Sequence, residues 1–325
     1  MIQSNSVGAI TTNNLNTDYP ANFCGIFCGG SGNRTISSNT IGSTDAGTSN
    51  SINAISPSSS NVQSVYGIQS YCSGTVSFTG NTIAKLTNGT TNSAVDYPGT
   101  VHGIFLSAGT NTVSNNIIRD LTIANANTAS TQSASVVGIS LNNTTAAAQS
   151  ITGNTIYNLS NTYASFAGNV IGLYYNGSTT ASSVTGNFIH SLSVAGASSN
   201  AASIYGIKIN AGATTYANNI ISLGGNTKTT MYGVYETGSS ANNNNLYYNT
   251  VYLGGTLASG STNKSYALYS AVTTNTRNFR NNIFSNARST TGGSSRIMQP
   301  GSTMQAAPGL HSTIMIIMQQ GQEGC

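Results

Sequence analysis

The chain has 325 residues, ten Lys and Arg against six Asp and Glu, a formal net charge of +4 and only 5% charged residues. Cations this sparse argue against a phosphate-tracking nucleic-acid surface, and no apolar run reaches the length of a membrane-spanning helix. Ser, Thr, Asn and Gly dominate, a bias that can mark disorder, but 17 Tyr, 8 Phe and a regular Ile/Val/Leu series exclude that class as well.

In chain order, Asn5-Ser6-Val7 is the first fragment of a pattern that then recurs eight times. A glycine followed by an aliphatic residue stands at Gly25, Gly67, Gly103, Gly138, Gly172, Gly206 and Gly233, with Ala267 in the eighth slot. Some 13 to 16 residues after each comes an asparagine: Asn39, Asn81, Asn116, Asn154, Asn187, Asn219, Asn249 and Asn282. The residue three before that asparagine is apolar in every unit, from Ile36 to Phe279, and so is the residue two after it, from Ile41 to Phe284. Alternation of apolar and small polar residues around both marks predicts short strands with one buried face. In six of eight units Gly or Asn precedes the asparagine, and these types accept a left-handed corner cheaply.

A unit this small cannot close a core, so stacking is required. The pattern predicts an all-β fold, a right-handed parallel β-helix solenoid of about eight coils, with variable return loops on one flank. At about 4.8 Å per coil the rod is roughly 40 Å long. The asparagines are expected to form a structural ladder that satisfies corner backbone groups the sheets cannot reach.

The repeat domain is placed at 1–295, starting in mid-coil, with further coils and a leader expected upstream of Met1. Residues 296–325 form an atypical tail, expected to be frame-shifted and poorly ordered. Its Ile-Met run, Ile314 to Met318, is built of codons beginning AT, and the alternative frame permits a Tyr-Asn-Asp-Tyr-Tyr-Ala string.

The chain shows no catalytic constellation and no metal or cofactor site. Asp18, Asp45, Asp96, Asp120 and Glu236 fall in different coils or loops. Asp96 with His102 is the single acid and imidazole proximity, and His102 occupies the position that Tyr66, Tyr205, Tyr232 and Tyr266 take in other units, as a repeat variant would. Cys24 and Cys28 are too far apart along one strand to bridge, whereas Cys28 and Cys72 either face each other across adjacent coils or remain free buried thiols. Two residues after each glycine, Phe27, Phe105, Tyr174, Tyr235 and Tyr269 share a column with Gln69, Ser140 and Lys208. These five rings are glycan-binding candidates if they line an open groove; alternatively they stack on one another or lie under the return loops. An ice-binding surface would want flat Thr-x-Thr arrays in register on one face, and no such array recurs.

The Gly-Asn-Thr-Ile-x-x-Leu type segments at Gly80 to Leu86, Gly153 to Leu159 and Gly186 to Leu192 resemble the parallel β-helix repeat of the pectin-lyase-like superfamily. More narrowly, the chain resembles large secreted repeat proteins of Gram-negative bacteria. The resemblance implies an extracellular or cell-surface location, a leader, many coils and a C-terminal sorting domain. The expected function is a non-enzymatic structural or adhesin-type rod, monomeric in the full-length protein, with polysaccharide or other cell-surface components as partners. The alternative is a carbohydrate-binding or polysaccharide-degrading β-helix with its catalytic residues outside this fragment.

Overall fold

A computed structural model describes residues 1–45, 47, 51–58, 61–92, 94–95, 99–196, 201–237, 243–257, 263–272 and 277–289, and the backbone alone of 290, 310–312 and 315–319. Among them there is no helix, and parallel strands stack into a β-solenoid of about eight turns. Sheet A has ten strands, from Ile2–Gln3 through Arg34–Ser37 and Gln149–Thr152 to Leu310–Ser312. Sheet B has twelve, from Ser6–Val7 to Met315–Gln319, and sheet C has eight, from Phe23–Cys28 to Ser265–Ser270. Sheets A and B meet at the asparagine corner, and sheet C carries the glycines. The aliphatic columns pair in register from coil to coil, as in Ile36 with Phe78 and Ile83 with Ile118, and close one continuous core.

The corner is a repeated backbone event. The residue before the asparagine has positive φ in all eight units: Ser38, Gly80, Asn115, Gly153, Gly186, Asn218, Tyr248 and Asn281. A second left-handed bend inside sheet B, at Lys85, Asp120, Asn158 and Ser191, left no Gly or Asn signature that the sequence alone would reveal. Ser38 and Tyr248 carry a left-handed conformation that costs a non-glycine residue about 1–2 kcal/mol, so something must hold the corner shut.

That something is the stack of asparagines. Asn39 donates from its backbone N–H and from Nδ2 to Oδ1 of Asn81, at 3.0 and 2.9 Å, and a second Nδ2 bond reaches back to the Ile2 carbonyl at 3.1 Å. Asn81 treats Asn116 and the Ile36 carbonyl in the same way. The scheme repeats through Asn116, Asn154, Asn187, Asn219 and Asn249, with every Nδ2 to Oδ1 distance 2.9 Å, and Asn282 ends it by donating to the Leu246 carbonyl. Each amide but the last therefore joins three successive coils, and each is at most 2% exposed. In so dry a setting an unmade bond is costly.

The glycines of sheet C answer to contact rather than to φ. A Cβ on Gly138 would lie 2.5 Å from the Gly172 carbonyl oxygen of the next coil and 2.5 Å from the Ile156 side chain in the core. Ala267 sits on the last strand of sheet C among the described residues, where no following described strand supplies that oxygen, and a methyl fits.

Within the tail, Leu310–Ser312 pairs with Arg277–Phe279 and Met315–Gln319 with Asn282–Asn286, so sheets A and B each gain a strand there. The other tail residues lie outside the described set.

Replacing Asn154 with Ala strands the Asn116 backbone N–H, the Asn116 amide and the Val113 carbonyl. We expect a loss of about 3 kcal/mol. An unfolding midpoint in denaturant equal to that of the wild type would show that the ladder does not carry the corner.

Candidate functional site: the outer face of sheet C

Along each sheet C strand the pairing skips the glycine: Tyr66 pairs with His102 and Ile68 with Ile104, with the glycine between them turned toward the core. This break in alternation puts both the residue before the glycine and the residue two after it on the outer face. Two columns therefore run side by side. One is Cys24, Tyr66, His102, Val137, Ile171, Tyr205, Tyr232 and Tyr266; the other is Phe27, Gln69, Phe105, Ser140, Tyr174, Lys208, Tyr235 and Tyr269. Strict alternation, which a sequence reading assumes, would have sent the first column inward. Tyr205, Tyr232 and Tyr266 therefore stand on the same outer face as the five candidate rings.

The face is covered in the middle. The return segment through Ala134 lies against Val137, Ile171, Tyr174 and Tyr205 in a second small apolar cluster. Polar bonds tie it down: Asn127 donates to the Gly99 and Ser133 carbonyls at 3.1 and 2.8 Å, and Asn169 to the Ala129 carbonyl at 2.9 Å. Lys208 donates to the Ser130 carbonyl, with its ammonium 4.4 Å from the Tyr205 ring centroid. Burial pushes that lysine down to about 8.

The five candidate rings consequently have different surroundings. Tyr174 is 1% exposed and Phe105 8%, so neither offers a ring face to a sugar. Tyr235 and Tyr269 are half-buried and lie 5.0 Å apart at an interplanar angle of 5°. Tyr205, Tyr232 and Tyr266 stack beside them at 4.8 and 5.1 Å with angles of 7° and 4°, and the two rows meet edge to face at 4.8 to 5.7 Å. Stacking along the solenoid axis occupies these ring faces with other rings. Phe27, at 61% exposed, keeps an open face next to exposed Tyr71, whose hydroxyl accepts from Gln69. A groove running the length of the column does not exist.

Several of the charged groups bond to neighbouring parts of the solenoid. Glu236 and Arg277 form an ion pair at 3.5 Å inside the solenoid, 0% and 1% exposed, with Asn244 and Ser270 also donating to the carboxylate. Buried Arg288, pushed down to about 10 by burial, donates to the Thr229 and Thr227 carbonyls. Asp120 is held by Arg119 and Asn158, and Arg119 also holds the Thr44 carbonyl. Asp96 lies outside the described residues. His102 is buried against Tyr66 and Phe105. Cys24, Cys28 and Cys72 are free thiols, Cys28 lying against Cys72, and burial raises Cys24 to about 11. Among the described residues no three of His, Cys, Asp and Glu gather as a metal site.

One sequence reading needs correction. Although no Thr-x-Thr motif recurs, the outer face of sheet A carries in-register hydroxyl pairs: Thr35 and Ser37, Ser77 and Thr79, Thr112 and Ser114, Ser150 and Thr152, Ser183 and Thr185. Ser and Thr interchange from coil to coil, which hides the array from a motif search. Some of its hydroxyls bond across coils, as Thr79 does with Ser114 at 3.0 Å and Thr152 with Thr185 at 3.2 Å.

Fold and face together define the class as a parallel β-solenoid. No protein-family model, curated protein or solved structure matches the chain.

Burial pushes His102 down to about 3, well below its usual 6.5, so the folded chain holds it neutral where the unfolded chain protonates it. Its contribution is present above pH 6.5 and is lost as the pH falls toward 3, at a limiting slope of about 1.4 kcal/mol per pH unit. His102→Val, which copies Val137 of the next coil, should flatten that slope. Equal acid sensitivity of the two proteins in urea melts would contradict it.

Proposed function

We propose that the chain is a non-enzymatic rod of an extracellular or cell-surface repeat protein, serving as spacer, adhesin or matrix element. The amide ladder that runs unbroken from Asn39 to Asn282 carries this reading. It devotes one buried side chain per coil to uniform stacking, and the described ion pairs and buried cations are likewise committed to internal bonds. Secretion by a bacterium and kinship with pectin-lyase-like repeats rest on the sequence resemblance. Of the five candidate rings, Phe27 is the one that is mostly exposed, so a carbohydrate-facing role would rest on it and on exposed Tyr71 beside it.

The test has two parts. Antibody raised against the chain should label intact cells of the producing organism, and the chain should release no reducing ends or unsaturated uronates from pectin, alginate or xylan. Sustained depolymerisation, or labelling confined to permeabilised cells, would overturn the proposal.

A second reading draws on the hydroxyl face of sheet A. Its rise of about 4.8 Å between coils and about 6.7 Å between alternate residues makes the hydroxyls a regular two-dimensional array, the arrangement an ice-binding surface would need. An ice-binding chain would show thermal hysteresis that Thr79→Tyr with Thr152→Tyr abolishes; freezing curves indistinguishable from buffer would dismiss it.

A further inference from the structure

We propose that the tyrosine cluster on the last two coils of sheet C is a site of oxidative cross-linking, at which Tyr235 joins Tyr269 and Tyr232 joins Tyr266 through carbon–carbon bonds between their rings. The inference concerns the chain's own chemistry and stands whether or not the rod reading does.

Five tyrosines occupy one patch. Tyr232 and Tyr266 are stacked at 5.1 Å and 4°, and Tyr235 and Tyr269 at 5.0 Å and 5°. Both pairs are direct cross-strand partners of Thr230–Glu236 and Ser265–Ser270, so backbone register holds each ring over its mate. Near-parallel rings at this separation bring the carbon ortho to each hydroxyl close to its counterpart, which is where phenoxyl spin density collects. Edge-to-face contacts between the rows, 4.8 Å for Tyr232 with Tyr235 and 5.2 Å for Tyr266 with Tyr269, let a radical formed on one ring pass to another. Tyr205, stacked on Tyr232 at 4.8 Å but largely covered, extends the relay inward. All four coupling rings are partly open to solvent.

The co-reactant is hydrogen peroxide, used by a haem peroxidase. Each of two phenols loses one electron and one proton and becomes a neutral phenoxyl radical. The two radicals form a bond between ortho carbons, and the hydrogens displaced from those carbons return through water to the two oxygens, restoring both phenols. One peroxide takes up the two electrons and two protons and leaves as two waters. The chain loses two hydrogen atoms per link. Each link staples two neighbouring coils by their outer faces, at the end of sheet C where, among the described residues, the strand Ser265–Ser270 pairs with Thr230–Glu236 alone.

The test treats the dilute full-length chain with peroxidase and peroxide, then maps linked peptides by mass spectrometry. We expect the dominant product to be monomeric and to join the peptide holding Tyr232 and Tyr235 to the one holding Tyr266 and Tyr269, two hydrogens lighter than their sum with one link and four hydrogens lighter with both. Y266F with Y269F, which keeps the rings but removes the phenols, should lose most of the blue dityrosine fluorescence, whereas Y248F with Y252F should keep it. Links distributed over the exposed Tyr19, Tyr71, Tyr248 and Tyr252, or products formed only between chains, would overturn the proposal. The wild-type map decides the matter even if a variant fails to fold.

Discussion

A left-handed corner leaves backbone groups that neither flanking sheet can satisfy, and the buried asparagine amide is the group that satisfies them. Its geometry is unusually demanding. The Oδ1 must accept from two donors of the preceding coil while Nδ2 donates both onward and backward, and only a side-chain amide offers both functions on so short a stem. Because every bond lies in the dry interior, one coil's asparagine sets the position of the next. The strand register of sheets A and B follows from that spacing.

Sheet C depends on a different constraint. Its glycines admit the neighbouring coil's carbonyl at a distance that no Cβ would permit, and the same turn of the chain interrupts strand alternation. Two outward columns result where one would be expected. Return segments cover the middle of that face and bring Tyr174 into a core of its own, while the last coils keep their tyrosines stacked at the surface.

Charge is treated conservatively. Burying Glu236 with Arg277 gains little stability over an apolar pair, yet leaving either without the other would be costly. Arg288 and Lys208 spend their donors on return-segment carbonyls.

The period, the parallel stacking and the core columns were legible in the chain because each coil repeats the same physical problem, and the same answer recurs at each asparagine and glycine. The exposure of particular rings was not legible. Phe27 and Tyr174 occupy equivalent places in the repeat, yet one is open and the other enclosed, because only the second lies beneath a return segment. Likewise, the sequence marks Glu236 as an isolated acid, and only the folded chain brings Arg277 from the following coil to meet it. Local pattern determines which residues turn inward and where the chain bends; tertiary packing decides what each outward side chain faces, since the irregular return segments obey no period.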